Sequence, residues 1–221
     1  MDTGNEACFV EFPKMARLSR ECVITEKIDG TNAQVNIVPS ALMPALFDGA
    51  VTLACLDDMV LMAGSRTRWI TLKDDNYGFA RWAQEHALEL FGLGPGRHFG
   101  EWWGAGIQRN YGMKEKRFSL FNTIRWADRH NYPNNGEGVV FSDKRGFAPA
   151  CCYMVPVMYH GIFHTEDVVS CLEDLSKHGS MAAPGFMDPE GVVTYHTAGN
   201  VGFKKTLKND EVPKSLVDKR K

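Results

Sequence analysis

The sequence predicts an α+β fold built on antiparallel or mixed sheets, and three observations carry that prediction. Short runs of alternating apolar and polar residues recur along most of the 221 positions. Only two segments at helical spacing interrupt them, with no regular strand–helix–strand rhythm. Clusters of Gly, Pro, Asn and Asp separate the runs and supply the turns that antiparallel neighbours need. At 44% hydrophobic residues, the chain can bury a core as one domain.

The elements follow in order. Phe9-Val10-Glu11-Phe12 alternates like an opening strand that Pro13 stops. The run Cys22-Val23-Ile24-Thr25 predicts a strand leading into Glu26-Lys27, and after the Asp29-Gly30 turn Ala33, Val35 and Ile37 alternate with Gln34 and Asn36 as a second, half-buried strand. Pro39 to Gly49 breaks the pattern; Val51 to Cys55 and Met59 to Met62 restore it as a hairpin, directly followed by Gly64-Ser65-Arg66-Thr67-Arg68. Tyr77 to Phe91 is predicted as a helix, with Asp75 or Asn76 as its cap and Gly92 to Gly96 as its end. A strand is expected through Arg97 to Gly104 and another from Arg117 to Trp126, before a turn-rich exposed insertion at Asp128 to Pro149. Tyr153 to Phe163 is a strand region broken at Gly161; Thr165 then caps a second helix with Val168, Val169, Leu172 and Leu175 on its apolar face and Gly179 at its end. The last strands are Gly191 to Tyr195 and Val201 to Lys205, on either side of Ala198-Gly199-Asn200.

Composition excludes several functional classes. No run approaches the roughly 20 apolar residues of a membrane span, and the start Met1-Asp2-Thr3-Gly4-Asn5-Glu6 is acidic where a signal peptide is basic, so a soluble, cytoplasmic protein with no membrane partner is expected. Six cysteines form no C-x-x-C pair, which predicts reduced thiols. His160 and His164 have a spacing found among zinc ligands, but no cysteine pair accompanies them and structural roles are expected. A net charge of −2 argues against a surface coated in phosphate-binding lysines, so contact with nucleic acid needs a local patch. Lys204 to Lys221 is such a patch, with seven Lys or Arg against three acids.

The candidate chemistry lies in Glu26-Lys27-Ile28-Asp29-Gly30-Thr31-Asn32. A lysine at the end of a β-branched run is held by the sheet, and the Asp-Gly turn lets the backbone approach a phosphate. The string gains weight from the ordered series that follows it: Gly64-Ser65-Arg66, Phe99-Gly100-Glu101-Trp102, Phe118-Ser119-Leu120-Phe121, Glu190-Gly191-Val192-Val193 and Phe203-Lys204-Lys205. This series resembles the motifs of the covalent nucleotidyltransferases, the superfamily of ATP-dependent ligases and mRNA capping enzymes, from about Pro13 to Lys208. The stretch through Thr31-Asn32 is similar to the T4 RNA ligase 2-like branch.

The resemblance implies a nucleotidyltransferase (adenylylation) domain over residues 1–208 with sheets flanking a nucleotide cleft, a basic tail at 209–221 and no OB-fold domain. It implies an ATP-dependent RNA ligase acting on RNA 5′-phosphate and 3′-hydroxyl ends, with ATP and Mg²⁺ as cofactors and room for a partner protein to supply a C-terminal domain. Lys27 matches the nucleophile, which attacks phosphorus as an unprotonated amine, a form favoured by partial burial and by neighbouring cations such as Lys204 and Lys205. Glu190 matches the metal carboxylate, Glu101 a ribose or metal contact, Phe121 an adenine-stacking ring, Arg66 a nucleotide contact, and Asp29 and Asn32 residues near the reacting end. Glu26 is expected to help read the adenine. DNA ligase, capping-type guanylyltransferase and an inactive RNA-end binder are the alternatives.

Two positions depart from the family pattern: Asn122 stands where aspartate is usual, and Thr206 stands where the second lysine of the late motif is usual, leaving Lys205 as a substitute. The sequence also holds a second Glu-Gly-Val-Val, at Glu137 to Val140. Glu190 is preferred because the lysine-bearing strand follows it at hairpin distance.

Overall fold

The computed structural model describes residues 11–43, 51–141, 143 and 145–211. Thirteen strands and three α-helices are found among them. They are β1 (Glu21–Lys27), β2 (Thr31–Pro39), β3 (Thr52–Leu56), β4 (Met59–Ser65), β5 (Trp69–Ile70), α1 (Phe79–Glu85), α2 (Ala87–Leu90), β6 (Gly96–Gly104), β7 (Lys116–Leu120), β8 (Trp126–Ala127), β9 (Gly146–Phe147), β10 (Cys152–Met154), β11 (Val157–Ile162), α3 (Thr165–His178), β12 (Gly191–His196) and β13 (Val201–Thr206). The α+β class is as the sequence predicts, with one antiparallel sheet, one mixed sheet and a two-stranded parallel pair, β8-β9.

The smaller sheet has the order β11-β1-β12-β13 and is antiparallel throughout. The larger runs β10-β7-β6-β2-β4-β3, with β5 added on β4; β10 joins β7 in parallel and its other pairs are antiparallel. β1 passes into β2 through residues 28–30, so one turn links the two sheets and carries Lys27 at its start.

Alternation sorts each sheet into a packed face and an open one. On the smaller sheet, Cys22, Ile24 and Val192 pack against Val168, Cys171 and Leu175 of α3. Full burial of a side chain such as Leu175 contributes about 2 kcal/mol. On the larger sheet, Ala33, Val35, Leu61 and Trp102 share a core with Phe79 and Leu90 of the helical segment. Ile28, Trp103, Tyr111 and Val155 make a third cluster beneath the turn that holds Lys27.

Several boundaries differ from those expected. Phe9 and Val10 lie outside the described residues, and Glu11 and Phe12 form no strand. The long helix starts at Phe79 and is interrupted at His86, whose φ of −101° and ψ of 16° leave the helical range, giving α1 and α2. Asp75 still caps it, its carboxylate accepting from Ala80 N at 2.7 Å and Arg81 N at 3.2 Å. The strand expected to reach Trp126 stops at Leu120, because the Asn122 side chain accepts from Arg125 N and bends the chain. The described residues of 128–149 are turn-rich and mostly exposed, and among described residues β8 and β9 pair across their base.

The break in the 153–163 region falls at Pro156, which lacks the N–H a ladder needs, and β11 runs straight through Gly161. Thr165 is the first helical residue of α3 and not its cap; His164 holds the capping position without a side-chain hydrogen bond, and Val169 is exposed. Cys22, Cys55, Cys151, Cys152 and Cys171 carry free thiols, and Cys8 lies outside the described residues. No helix among the described residues is long and apolar enough to cross a membrane. Of the basic tail, residues 212–221 lie outside the described residues.

Candidate active site

Strand register determines which side chains meet. Thr25 lies opposite Val193, and Val193 opposite Lys204, so these three share a face with Lys27, two residues along β1 from Thr25. On the larger sheet Asn32 lies opposite Glu101, Gln34 opposite Phe99 and Asn36 opposite Arg97, and Arg66 follows the end of β4 beside the same row. The two faces border a cleft of about 980 Å³ whose lining includes Lys27, Asn32, Arg66, Glu101, Phe121 and Lys204.

Lys27 Nζ donates to Glu190 Oε2 at 2.6 Å, with side chains only 22% and 11% exposed. This is the contact that distinguishes the two Glu-Gly-Val-Val copies, since Glu137 is exposed in the turn-rich segment. Two glycines permit the geometry. A Cβ on Gly30 would lie 2.4 Å from Trp102 O, and one on Gly191 would lie 2.2 Å from Lys205 O, so any side chain at either position forces the strands beside Lys27 apart.

Glu101 is buried, accepting from Gly30 N at 3.1 Å and from Asn32 Nδ2 at 2.9 Å. Burial pushes its pKa up from 4.5 to about 7, against the pull of the Lys27 charge and of these hydrogen bonds, while the like charge of Glu190 adds to the rise. A buried carboxylate on the cleft, with the Glu190 carboxylate held beside Lys27 and acting on it as a like charge, suits a hard divalent cation; Glu101 and Glu190 are the residues that would hold it.

Asp29 does not line this cleft. Its carboxylate accepts from Arg109 Nε at 3.0 Å, Arg109 Nη1 reaches Asp188 Oδ2 at 2.7 Å, and Lys208 Nζ reaches Asp188 Oδ1 at 2.7 Å. The Asp29 N–H donates to the Tyr111 hydroxyl at 2.8 Å. Asp29 thus ties the Lys27 turn to the segment leading into Glu190. Glu26 borders the cleft, but its buried carboxylate accepts from Ser180 Oγ at 2.5 Å, Met181 N at 2.8 Å and Ala182 N at 2.9 Å. Its carboxylate anchors that loop, and burial raises its pKa despite the three donors.

Lys204 and Lys205 cannot both face Lys27, because adjacent residues of a strand point to opposite sides. Lys204 lines the cleft; Lys205 turns away, with its Nζ 3.3 Å from Asp210 Oδ2. Phe121 is 42% exposed on the cleft, and Phe99 and Phe203 are exposed there too. Asn122 lines the cleft beside Phe121, its Oδ1 held by Arg125 N at 3.0 Å. His160 pairs with Glu21 at 2.5 Å.

Arg97 and Phe99 were open to detection, since they alternate with Glu101 along one strand. Arg109 and Tyr111 carry no such signal: they come from the loop after β6, where Tyr111 has φ of 51°, and meet Asp29 only through the fold.

The sequence model of the RNA ligase family matches residues 20–209. The chain belongs to the RNA ligase family. The match spans the whole ordered motif series, from Lys27 to Lys205. No curated protein matches. Among solved structures, this family member is similar to variants of Naegleria gruberi RNA ligase. One with AMP and Mn gives 17% identity and a TM-score of 0.49, over 91% of this chain and 52% of that one. Another with ATP and Mn gives 17% identity and a TM-score of 0.45 over the same shares. An apo variant gives 17% identity and a TM-score of 0.48 over 85% of this chain and 49% of that one. The chain spans about half the length of these solved ligases.

Proposed function

We propose that this chain is the nucleotidyltransferase domain of an ATP-dependent RNA ligase of the T4 RNA ligase 2-like branch, joining 5′-phosphate to 3′-hydroxyl ends through a lysyl-AMP intermediate. The observation that carries the reading is Lys27 Nζ held 2.6 Å from Glu190 on the face of the smaller sheet that also bears Lys204. The 5′-phosphate and 3′-hydroxyl ends and the branch rest on the sequence resemblance, and the cytoplasmic setting rests on composition, which offers no apolar run of membrane-spanning length. Nothing observed supports the expected partner protein.

In the proposed first step Lys27 Nζ attacks the α-phosphorus of ATP; an N–P bond forms, the P–O bond to pyrophosphate breaks, and the amine proton has Glu190 Oε2 as its nearest acceptor. Lys204 and Arg66 supply positive charge to the phosphates, and the aromatic side chain of Phe121 offers a face for adenine. A divalent cation such as Mg²⁺ bound by Glu190 and Glu101 would neutralise phosphate charge during the displacement. The RNA 5′-phosphate then takes the AMP as the Lys27 N–P bond breaks, and a 3′-hydroxyl attacks that 5′-phosphate and displaces AMP to complete the seal. Asp29 acts by holding the Lys27 turn through Arg109, and Glu26 acts by anchoring the loop at Ser180, next to the cleft. Lys205 is the least direct contributor, because its ammonium faces Asp210.

Incubation with labelled ATP or GTP and Mg²⁺, followed by a denaturing gel, tests the reading. ATP alone is expected to give an acid-labile protein adduct that chases into joined RNA. An adduct from GTP would favour a capping enzyme, sealing of DNA alone a DNA ligase, and no adduct an inactive end binder.

A further inference from the structure

Away from the cleft, three side chains of different chemistry converge where the helical segment meets the edge of the larger sheet. His86 stands at the interruption between α1 and α2, Glu89 lies in α2, and Cys151 precedes β10. One donor atom from each lies within 4.8 Å of the other two. His86 Nδ1 is 3.0 Å from Glu89 Oε1, and Glu89 Oε2 accepts from Cys151 N at 3.1 Å, so a single carboxylate fixes both neighbours. None of the three lines the cleft.

We propose that His86, Glu89 and Cys151 form a binding site for a borderline-soft divalent ion, zinc in particular. Imidazole, carboxylate and thiolate are its preferred donors. With metal–ligand bonds of about 2.0–2.3 Å, the edges of a tetrahedron are about 3.3–3.8 Å. The three donors therefore need to move only by side-chain rotation around an ion seated between them. The side chains of His86 and Glu89 are 36% and 43% exposed, which gives the ion a route in and leaves water as the fourth ligand. Cys152 Sγ, 3.9 Å from Cys151 Sγ, is buried in the core and stands behind the site.

Binding is balanced by protons: the Cys151 thiol loses one to solvent, and the imidazole carries its remaining proton on Nε2 so that Nδ1 faces the ion. Affinity accordingly falls as pH is lowered. The bound ion staples α2 to the edge strand β10, adding to the shared core and the Cys151–Glu89 hydrogen bond that already join them.

The test uses the whole chain, reduced and stripped of metal. Titration with Co²⁺ should produce a thiolate-to-cobalt charge-transfer band at one equivalent, which Zn²⁺ displaces; carboxylates of the nucleotide cleft cannot give that band. Zn²⁺ at about a hundredfold over Kd should raise Tm by roughly 5–10 °C. Cys151→Ser and His86→Ala should each abolish the band and weaken Zn²⁺ binding more than about tenfold, with melting in the absence of metal showing that both variants fold. Absence of the band in the wild type, or its survival in either folded variant, would overturn the site.

Discussion

The two Glu-Gly-Val-Val copies have the same local sequence and opposite structural lives. Glu190 to Val193 opens β12, between β1 and β13, and its carboxylate meets Lys27 at 2.6 Å. Glu137 to Val140 lies in the turn-rich segment, where Glu137 is exposed and Val140 is 91% exposed. A motif of four residues therefore carries no function by itself. What sets Glu190 apart is a strand on each side of the one it leads into: one brings Lys27, the other brings Lys204.

The largest difference should be kinetic. Glu190→Ala removes a preorganised contact at the reacting lysine and should slow adenylylation by about 10²–10³, whereas Glu137→Ala should stay within a few-fold of wild type. Single-turnover labelling of both variants measures it, and a reversed order would break the comparison.

The glycines should separate next, in stability. An added Cβ at Gly191 overlaps the Lys205 carbonyl at 2.2 Å, while at Gly138 nothing lies within 4 Å and only its φ of +76° resists. Urea unfolding should show a loss of about 2–3 kcal/mol for Gly191→Ala and about 1 kcal/mol for Gly138→Ala. Equal losses would mean that β12 relaxes away from β13 easily.

Exposed apolar side chains should then behave differently in the two regions. Phe121→Ala should weaken ATP use by about 1–3 kcal/mol if the ring stacks on adenine, with Tm little changed because the side chain is already 42% exposed. Val140→Ala should alter neither. A parallel fall in Tm and activity for Phe121→Ala would assign the ring to packing.

The smallest effect is electrostatic. Glu101 keeps its proton in the folded state up to about pH 7, while its ordinary value is 4.5. The folded state thus binds more protons than the unfolded one between those values, and this group's contribution to stability is full below about pH 4.5 and lost as pH rises to about 7. Because Glu190 adds to the rise, Glu190→Ala should move the upper end of that window downward, and Glu137→Ala should leave it in place. Stability measured across pH 4 to 8 in about half-unit steps is sufficient to see it.

Much of this was legible in the sequence, and the misses have physical causes. The strand through Lys27, the Asp-Gly turn and the late hairpin follow from alternation and turn chemistry, and hairpin distance alone favoured Glu190 over Glu137. Lys205 was misjudged although the period of two already turns it away from Lys204. The break at Pro156 was also readable, since proline cannot donate to a ladder. By contrast, the interruption at His86 lies in a stretch with unbroken helical spacing. The Asp29–Arg109–Asp188–Lys208 chain joins four segments far apart in sequence, and no local pattern announces it. Glu26 adjoins Lys27 and borders the cleft, yet no local pattern announces the three donors from residues 180–182 that hold its carboxylate.

The proposed chemistry requires that Lys27 become covalently adenylylated. The most direct measurement is peptide mapping by mass after incubation with ATP and Mg²⁺, with Lys27→Ala alongside. The account predicts one adenylyl group on the peptide containing Lys27, and none on the variant, whose fold is retained. An adenylyl group on Lys204 or Lys205, or one that persists in Lys27→Ala, would contradict it.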